Sequence, residues 1–173
     1  LKWAGGKTQL LPHLLPRVPE YTGKYIEPFL GGGALFFQLV PQSAILADIN
    51  PELINFYQQV AAEPDLVLEH LQAFTNTSEC FYRTRALDWE ELPSPLAAAR
   101  TLYLNRTCYN GLYRVNRRGG FNTPYGNYKK PRFPTKSDLR SASLALSRTT
   151  LACGDFRAVL KDAIDFGWVI GER

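Results

Sequence analysis

Three consecutive glycines constrain the fold of this chain more than any other feature. Gly31-Gly32-Gly33 follows a short apolar stretch at residues 25–28 and precedes a helical pattern at residues 34–39. Such glycines let the backbone approach a ligand closely, and the helix after them directs its positive end toward it. The sequence therefore predicts a strand, a glycine loop and a helix, as in the front half of a doubly wound nucleotide-binding α/β fold.

A second strand and an acid follow in the expected order. Residues 44–47 are apolar and run into Asp48, and Pro51 stands in the first turn of a helix predicted to extend to residue 61. An acid at the end of this second strand is placed to accept hydrogen bonds from a ribose diol. The alternative is that Asp48 caps the helix that begins near Pro51. Taken together, the loop and the acid favour a nucleoside ligand.

The rest of the chain alternates between helical and irregular patterns. We predict helical segments at residues 7–15, 64–104, 138–146 (capped by Ser137) and 157–163, strands at 149–153 and 166–170, and loops with a hairpin at 106–134. The chain is thus interpreted as an α/β core with an incomplete sheet, into which a mainly helical and loop segment is inserted. Residues 1–62 and 148–173 form the core, and residues 63–147 form the insertion.

Several classes of protein are disfavoured by composition. No stretch approaches the roughly 20 apolar residues that span a bilayer, and no signal-peptide pattern is present. Cys80, Cys108 and Cys153 are scattered, without the spacing of a zinc site or a disulfide framework. We expect a cytoplasmic protein with no membrane segment and no metal.

Positive charge is concentrated in residues 100–136. Nine basic residues lie there and no acid: Arg100, Arg106, Arg114, Arg117, Arg118, Lys129, Lys130, Arg132 and Lys136. Seven aromatic residues are interleaved with them: Tyr103, Tyr109, Tyr113, Phe121, Tyr125, Tyr128 and Phe133. Cations contact phosphates, arginines read guanine edges and aromatic rings stack on bases, so this segment is predicted to bind nucleic acid. A solvated charged hairpin is the alternative.

Six motifs together carry a resemblance to a known family. They occupy residues 3–7, 27–33, 47–51, 103–106, 109–114 and 120–126. In this order they resemble the Dam-type (D12 class) DNA adenine N6-methyltransferases over nearly the whole chain. The resemblance implies a Rossmann-like, S-adenosylmethionine-dependent methyltransferase core with an inserted DNA-recognition subdomain. It also implies methyl transfer to N6 of a flipped adenine in duplex DNA, with a GATC-like target as the family's commonest choice.

The resemblance assigns the cofactor to one set of residues. These are Trp3, Lys7, Glu27, Pro28, Phe29, Gly31, Gly33, Asp48, Asp155 and Phe156. Asp48 resembles the acid that binds the cofactor's ribose. Asp155 and Phe156 resemble the pair that flanks its adenine.

DNA contacts are implied for a second set. These are Tyr109, Asn110, Leu112, Arg114, Asn122, Pro124, Tyr128 and Lys129. Tyr109 and Asn110 resemble residues that enter the duplex and fill the space left by the extruded adenine. Arg114 resembles an arginine that reads a guanine, and Tyr128 and Lys129 fall where the family touches phosphates. The protein is expected to be monomeric, and to be encoded by a bacterium or a phage.

The family's Asp-Pro-Pro-Tyr catalytic run is missing from the sequence. All 12 prolines are isolated, and Asp162 and Asp165 lie where the run is expected but without adjacent prolines. We therefore assign no catalytic residue. The chain contains no methionine and begins at Leu1, so it is expected to be an N-terminal piece of a longer reading frame, ended by a frameshift or truncation near Ala163.

Three functions stay open at this point. The first is site-specific adenine methylation of DNA, inherited by descent. The second is a catalytically inactive module that binds DNA or the cofactor. The third is methylation of RNA or protein, which the motif at residues 109–114 disfavours.

Overall fold

A parallel β-sheet forms the centre of the molecule. The computed structural model describes residues 1–3, 5–20, 23–117 and 119–161. Within them the strands are β1 (Tyr25–Glu27), β2 (Ala44–Asp48) and β3 (Thr149–Cys153), in the order β1-β2-β3. Ile26 is paired with Ile45, and Leu46 with Leu151. The fold is thus mixed α/β, and the three strands predicted in this part of the chain are confirmed.

Eight α-helices lie in the described ranges, together with short 3-10 helices. The α-helices are α1 (Leu11–Leu14), α2 (Ala34–Leu39), α3 (Pro51–Ala62), α4 (Pro64–Gln72), α5 (Ser78–Ala86), α6 (Ser94–Thr107), α7 (Lys136–Leu146) and α8 (Phe156–Lys161). The 3-10 helices are Lys7–Leu10, Leu15–Arg17, Trp89–Glu91 and Tyr109–Gly111. The end of the helix predicted at residues 157–163, the strand predicted at 166–170, and Asp162 and Asp165 lie outside the described residues.

Local signals explain where two of the longer helices begin. In α3 the Asn50 side chain accepts a hydrogen bond from the Leu53 amide, and Pro51 occupies the first turn. In α7 Thr135 and Asp138 form a reciprocal capping box. The predicted cap at Ser137 is therefore wrong: the helix starts two residues earlier than predicted, and Thr135 is the residue with an acid three positions after it.

The larger of two hydrophobic clusters in the described residues runs through both the sheet and the helices, and a smaller one joins Ile26, Ala47 and Val159. Helix α3 packs against α6 and α7, and α4 packs against the same two helices. The core includes Tyr25 of β1, Leu53 of α3 and Tyr103 of α6, all at most 3% exposed. The helices of residues 63–147 therefore share their apolar interior with the sheet layer.

The segment between α6 and α7 is irregular rather than a β-hairpin. Its described part shows isolated antiparallel bridges at Cys108 and Tyr125 and at Val115 and Phe121. The predicted hairpin is corrected to this looser arrangement. Several hydrogen bonds hold the segment to the rest of the molecule: the Gly126 amide donates to the Thr107 carbonyl at the end of α6, and the side chain of Asn76, between α4 and α5, donates to the Tyr128 carbonyl.

The carboxyl ends of the three strands bring distant parts of the sequence together. The glycine loop follows β1, Asp48 ends β2, and Asp155 follows β3. Because neighbouring parallel strands end at the same edge of a sheet, these groups lie on one side of the molecule. Ligands of open α/β sheets bind at this edge.

Candidate functional site

The glycine loop turns sharply between β1 and α2. Gly31 (φ +50°) and Gly33 (φ +68°) both adopt the left-handed backbone conformation that favours glycine. A Cβ on Gly31 would lie 2.8 Å from Cδ1 of Trp3. The loop is further held by Tyr57, whose hydroxyl donates to the Gly31 carbonyl at 2.9 Å. Backbone conformation and close packing therefore both explain why glycine occupies this turn.

Asp48 links the second strand to the loop. Its Oδ2 accepts a hydrogen bond from the Gly31 amide at 2.9 Å, and its Oδ1 accepts one from the Asn50 amide at 3.0 Å. The cap of α3 is the Asn50 side chain, so the alternative role of Asp48 as helix cap is wrong. Each carboxylate oxygen keeps a lone pair for another donor. Asp48 is half-buried, which leaves those lone pairs within reach of a ligand.

Lys7 and Glu27 form an ion pair beneath the loop. Lys7 Nζ lies 3.3 Å from Glu27 Oε1 and donates to the Phe29 carbonyl, while the Tyr25 hydroxyl donates to Glu27 Oε2. Glu27 is fully buried. Burial raises the pKa of its carboxyl group, and the charge of Lys7 and the Tyr25 hydroxyl oppose that rise. The pair fixes the backbone that leads into the glycine loop.

A small cavity opens where these groups meet. It has a volume of about 180 Å³, and Trp3, Lys7, Phe29, Gly31 and Asp48 are among its lining residues. Five of the ten residues predicted to bind the cofactor thus line one cavity. Three more of the predicted residues, Glu27, Pro28 and Gly33, are buried and do not line it.

Asp155 and Phe156 lie at the end of β3, beside the loop. The rings of Phe29 and Phe156 are 5.2 Å apart, and each ring is 37% exposed. Arg157 donates through Nε and Nη2 to the two oxygens of Asp155 and holds its pKa down at about 2. The two phenylalanines therefore offer an exposed aromatic surface next to an ion-paired carboxylate.

Substitution of Gly33 tests how closely the loop is packed. We expect Gly33→Ala to lower the free energy of unfolding by about 1–3 kcal/mol, because of the left-handed backbone and a Cβ that would lie 2.8 Å from the Phe37 ring. Gly5→Ala is the matched control, since Gly5 has φ +72° with open space around its Cβ position. Urea denaturation measures both. Equal losses in the two variants would contradict close packing at Gly33.

The segment predicted to enter DNA presents an exposed turn. Tyr109 is 54% exposed and Leu112 is 40% exposed. Asn110, between them, has φ +54°, and its amide donates to the Tyr128 hydroxyl at 2.9 Å. The Tyr109 amide donates to the Pro124 carbonyl. The structure thus brings five of the eight predicted DNA-binding residues into one cluster at the surface.

Arg114 and Asn122 form a second group in the same segment. Arg114 Nε donates to Asn122 Oδ1 at 2.8 Å, and the Asn122 amide donates to the Arg114 carbonyl. The remaining donors of the exposed guanidinium include the fork that guanine recognition uses. Lys129 is exposed near Tyr128. All eight predicted DNA-binding residues therefore lie in the segment between α6 and α7.

The positively charged surface is smaller than the sequence predicted. Arg100 is buried, and its Nη1 lies 2.7 Å from Oε1 of Glu52, so it does not face solvent. Arg106 is half-buried, Lys136 pairs with Asp65, and Arg118 lies outside the described residues. Among the described residues of this segment the exposed cations are Arg114, Arg117, Lys129, Lys130, Arg132 and Lys136, of which Lys136 is paired with Asp65. Arg100 was included wrongly because a charge count along the sequence does not register a buried partner.

Several residues near the two clusters were missed by sequence reasoning. Glu52 accepts from the Tyr113 hydroxyl, and Asn105 bonds with both backbone groups of Lys2. Lys2 Nζ lies over the Tyr128 ring, 5.2 Å from its centroid. The available signal in the sequence was a polar residue within a largely apolar helix: Glu52 in α3 and Asn105 in α6. Their partners are too distant in sequence to be inferred from spacing.

The described residues also bear on a membrane segment and on a metal site. None of the described helices is long and apolar enough to cross a membrane. Among the same described residues, no three His, Cys, Asp or Glu side chains cluster in a way that could hold a metal ion.

The chain is similar to several curated proteins that are named as methyltransferases or methylases. A type II methyltransferase of Lactococcus lactis subsp. cremoris (M1.LlaDCHI) is 41% identical over 176 residues, covering 97% of this chain and 62% of the relative. A type II methyltransferase of Methanocaldococcus jannaschii (M.MjaIII) is 37% identical, covering 92% of this chain and 62% of the relative. A DNA adenine methylase of Vibrio cholerae is 36% identical, covering 90% and 57%. The chain therefore spans about three fifths of the length of these curated relatives.

The family assignment rests on the length of the match. The sequence model of the D12 class N6 adenine-specific DNA methyltransferases matches residues 3–168, which is nearly the whole chain. The matched range contains both the loop at the sheet edge and the exposed segment between α6 and α7. This chain is therefore a member of the D12 class of N6 adenine-specific DNA methyltransferases.

Proposed function

We propose that the chain binds S-adenosylmethionine at the glycine loop and duplex DNA on the segment between α6 and α7. The protein to which it belongs then transfers the methyl group to N6 of a flipped adenine, in a site of GATC-like type. The observation that carries this proposal is the position of Asp48: a half-buried carboxylate with free lone pairs, fixed against the glycine loop at the carboxyl edge of a parallel sheet. A ribose diol supplies the donors that such a group accepts.

The fold supports a finer assignment of domains. We infer a Rossmann-like methyltransferase core from residues 1–62 and 148–173, because the strands are parallel and the candidate ligand groups follow their carboxyl ends. Residues 63–147 are the DNA-recognition insertion. Its helices share the core with α3, so the insertion packs directly against the cofactor-binding part.

The proposed cofactor-binding residues contact different parts of the ligand. Asp48 accepts from the ribose, and the exposed faces of Phe29 and Phe156 receive the adenine. Their rings are 5.2 Å apart, whereas a base between two parallel rings needs about 7 Å. The adenine therefore either packs on the outer face of the pair or separates the rings. Trp3 and Lys7 line the same cavity as Asp48, and Lys7 is held there by its ion pair with Glu27.

On the DNA side, the exposed turn supplies the groups that enter the duplex. Tyr109 and Leu112 are large, exposed and apolar, as is typical of side chains that wedge between bases. Extruding an adenine costs a few kcal/mol, and a side chain that fills the gap offsets part of that cost. Arg114 reads a guanine edge, and Lys129 contacts phosphate.

The second candidate function is a binding module without catalysis. The Asp-Pro-Pro-Tyr run that the family resemblance implies does not occur among the 173 residues, and every proline is isolated. We therefore assign binding to this chain and methyl transfer to the whole protein. None of the described residues is given a catalytic role.

One assay separates the two functions. The purified chain is incubated with methyl-labelled S-adenosylmethionine and a duplex that contains GATC sites. Labelled N6-methyladenine above background shows that the chain itself is catalytic. DNA binding that weakens steeply with salt, without transfer, supports the binding module. Failure to bind either the cofactor or the duplex contradicts the proposal, and preference for structured RNA over duplex DNA redirects it to another substrate.

Two single substitutions distinguish base recognition from phosphate contact. We expect Arg114→Ala to lose about 1–3 kcal/mol of discrimination at one base pair, because a bidentate arginine–guanine contact contributes that much. Lys129→Ala should instead weaken binding to all duplexes alike and reduce the slope of log K against log salt by about 0.9. Fluorescence anisotropy with a panel of single-base variants measures both. Loss of the same sequence preference in both variants would contradict the assignment.

A further inference from the structure

Trp3 and Tyr113 connect the two proposed binding sites. Trp3 packs on the glycine loop, and its ring stacks on Tyr113, with ring centroids 4.9 Å apart and planes inclined by 22°. Tyr113 lies in the segment proposed to bind DNA, one residue before Arg114. A single ring contact therefore joins a wall of the cofactor cavity to the DNA-reading arginine.

The position of Tyr113 is set by a buried carboxylate. Glu52 is 2% exposed, and its Oε2 accepts a hydrogen bond from the Tyr113 hydroxyl at 2.6 Å. Burial and the Glu52 carboxylate raise the pKa of Tyr113, so the phenol stays protonated and remains a donor at neutral pH. Trp3 and Glu52 thus hold the same tyrosine, one through its ring and the other through its hydroxyl.

Glu52 is itself held in place by further hydrogen bonds. Its Oε1 accepts from Arg100 Nη1 at 2.7 Å and from the Thr101 hydroxyl at 2.8 Å. The other Arg100 donors reach the carbonyls of Thr84 and Arg85. Each of the three guanidinium nitrogens of Arg100 thus donates at least one hydrogen bond, so the carboxylate has little freedom to follow a displaced Tyr113.

A second contact joins the same two regions independently. The Asn105 side chain accepts from the Lys2 amide at 2.9 Å and donates to the Lys2 carbonyl at 2.7 Å. Gly111, in the exposed turn, packs so closely on Lys2 that a Cβ would lie 2.6 Å from Lys2 Cβ. The contacts of Lys2 therefore hold residues 1–3 against the turn that carries Tyr109 and Asn110.

We propose that Glu52 and Tyr113 are positioning residues that couple cofactor binding to DNA binding. The inference rests on the proposed function, because it assigns a ligand to each site. A duplex that fixes Arg114 also fixes Tyr113, and Tyr113 in turn fixes Trp3 against the glycine loop. Linkage requires the effect to be reciprocal, so cofactor binding tightens DNA binding by the same factor.

The test measures the coupling factor directly. The dissociation constant of S-adenosylhomocysteine is measured by calorimetry, with and without a saturating GATC duplex, for the unchanged chain and for Tyr113→Phe. This variant keeps the ring that stacks on Trp3 and removes only the hydroxyl that Glu52 holds. We expect the duplex to tighten S-adenosylhomocysteine binding about fivefold or more in the unchanged chain, and less than twofold in Tyr113→Phe.

Tyr103→Phe is the matched control. It removes another tyrosine hydroxyl hydrogen bond, from Tyr103 to the Thr75 carbonyl at 2.8 Å, outside both binding clusters. The control should keep the full coupling factor. If Tyr113→Phe retains it as well, or if the unchanged chain binds both ligands without coupling, the inference is overturned. If one ligand fails to bind the unchanged chain, the proposed function fails with it, which is a distinguishable result.

Discussion

Glu52→Ala is expected to lower the free energy of unfolding by about 3–5 kcal/mol, because it leaves the buried Arg100 guanidinium without a counter-charge. The two side chains are each 3% exposed, and their charged atoms lie 2.7 Å apart. The same substitution deprives the Thr101 and Tyr113 hydroxyls of their acceptor. Urea denaturation followed by far-UV circular dichroism measures the loss.

An exposed ion pair of the same chemistry is the control. Arg140 donates to both oxygens of Asp65, at 2.6 Å and 3.1 Å, but these side chains are 58% and 50% exposed. Because solvent screens such a pair, Arg140→Ala should leave the urea midpoint close to that of the unchanged chain. Similar midpoints for Glu52→Ala and Arg140→Ala would show that the buried network does not stabilise the fold as described.

The second large effect concerns the cofactor. Asp48→Asn is expected to weaken S-adenosylhomocysteine binding about 10- to 100-fold, because hydrogen bonds to a charged group contribute about 1.5–3 kcal/mol and tenfold corresponds to 1.4 kcal/mol. The asparagine amide group would also face either the Gly31 or the Asn50 amide, both of which are donors. Calorimetric titration measures the change, after circular dichroism has verified the fold.

The control for this substitution removes one negative charge at a position away from the proposed ribose contact. Asp65→Asn removes one negative charge from the first turn of α4, where Asp65 binds Arg140 and Lys136. Its affinity for S-adenosylhomocysteine should stay within twofold of the unchanged chain. An equal loss in both variants would mean that net charge, rather than the ribose contact, accounts for the effect.

The elements of the sheet were predictable because their signals are local. The apolar run of β2, the acid that ends it and Pro51 in the first turn of α3 all lie within a few residues of one another. The capping residue of α7 was harder to predict. Thr135 and Ser137 are both competent caps, and the position of Asp138 three residues after Thr135 decides between them.

The sequence predicts candidate residues for the site but not the contacts between them. The glycine loop and Asp48 follow from strand ends that any parallel sheet brings to one edge. The Glu52–Arg100 pair and the Trp3–Tyr113 stack join residues that lie far apart in sequence, in elements whose relative placement only tertiary packing determines. Arg100 illustrates the consequence, since it resembled a phosphate-binding cation until its buried partner was seen.

The glycines and aromatics at residues 106–134 misled the hairpin prediction for a related reason. Alternating aromatic residues and turn residues are typical of strands, yet here several hydroxyl groups form hydrogen bonds that do not belong to a β-ladder. The Tyr125 hydroxyl donates to Asn76, and the Thr123 hydroxyl donates to the Leu112 carbonyl. Tertiary hydrogen bonds therefore replace a continuous β-ladder in the segment that we propose to bind DNA.

A crystal structure of the 173-residue chain with S-adenosylhomocysteine tests the central claim most directly. The account predicts one molecule at the carboxyl edge of the sheet, with both ribose hydroxyls within hydrogen-bond distance of Asp48 and the adenine against Phe29 or Phe156. A ligand bound elsewhere, or an empty glycine loop at saturating ligand concentration, would contradict the account.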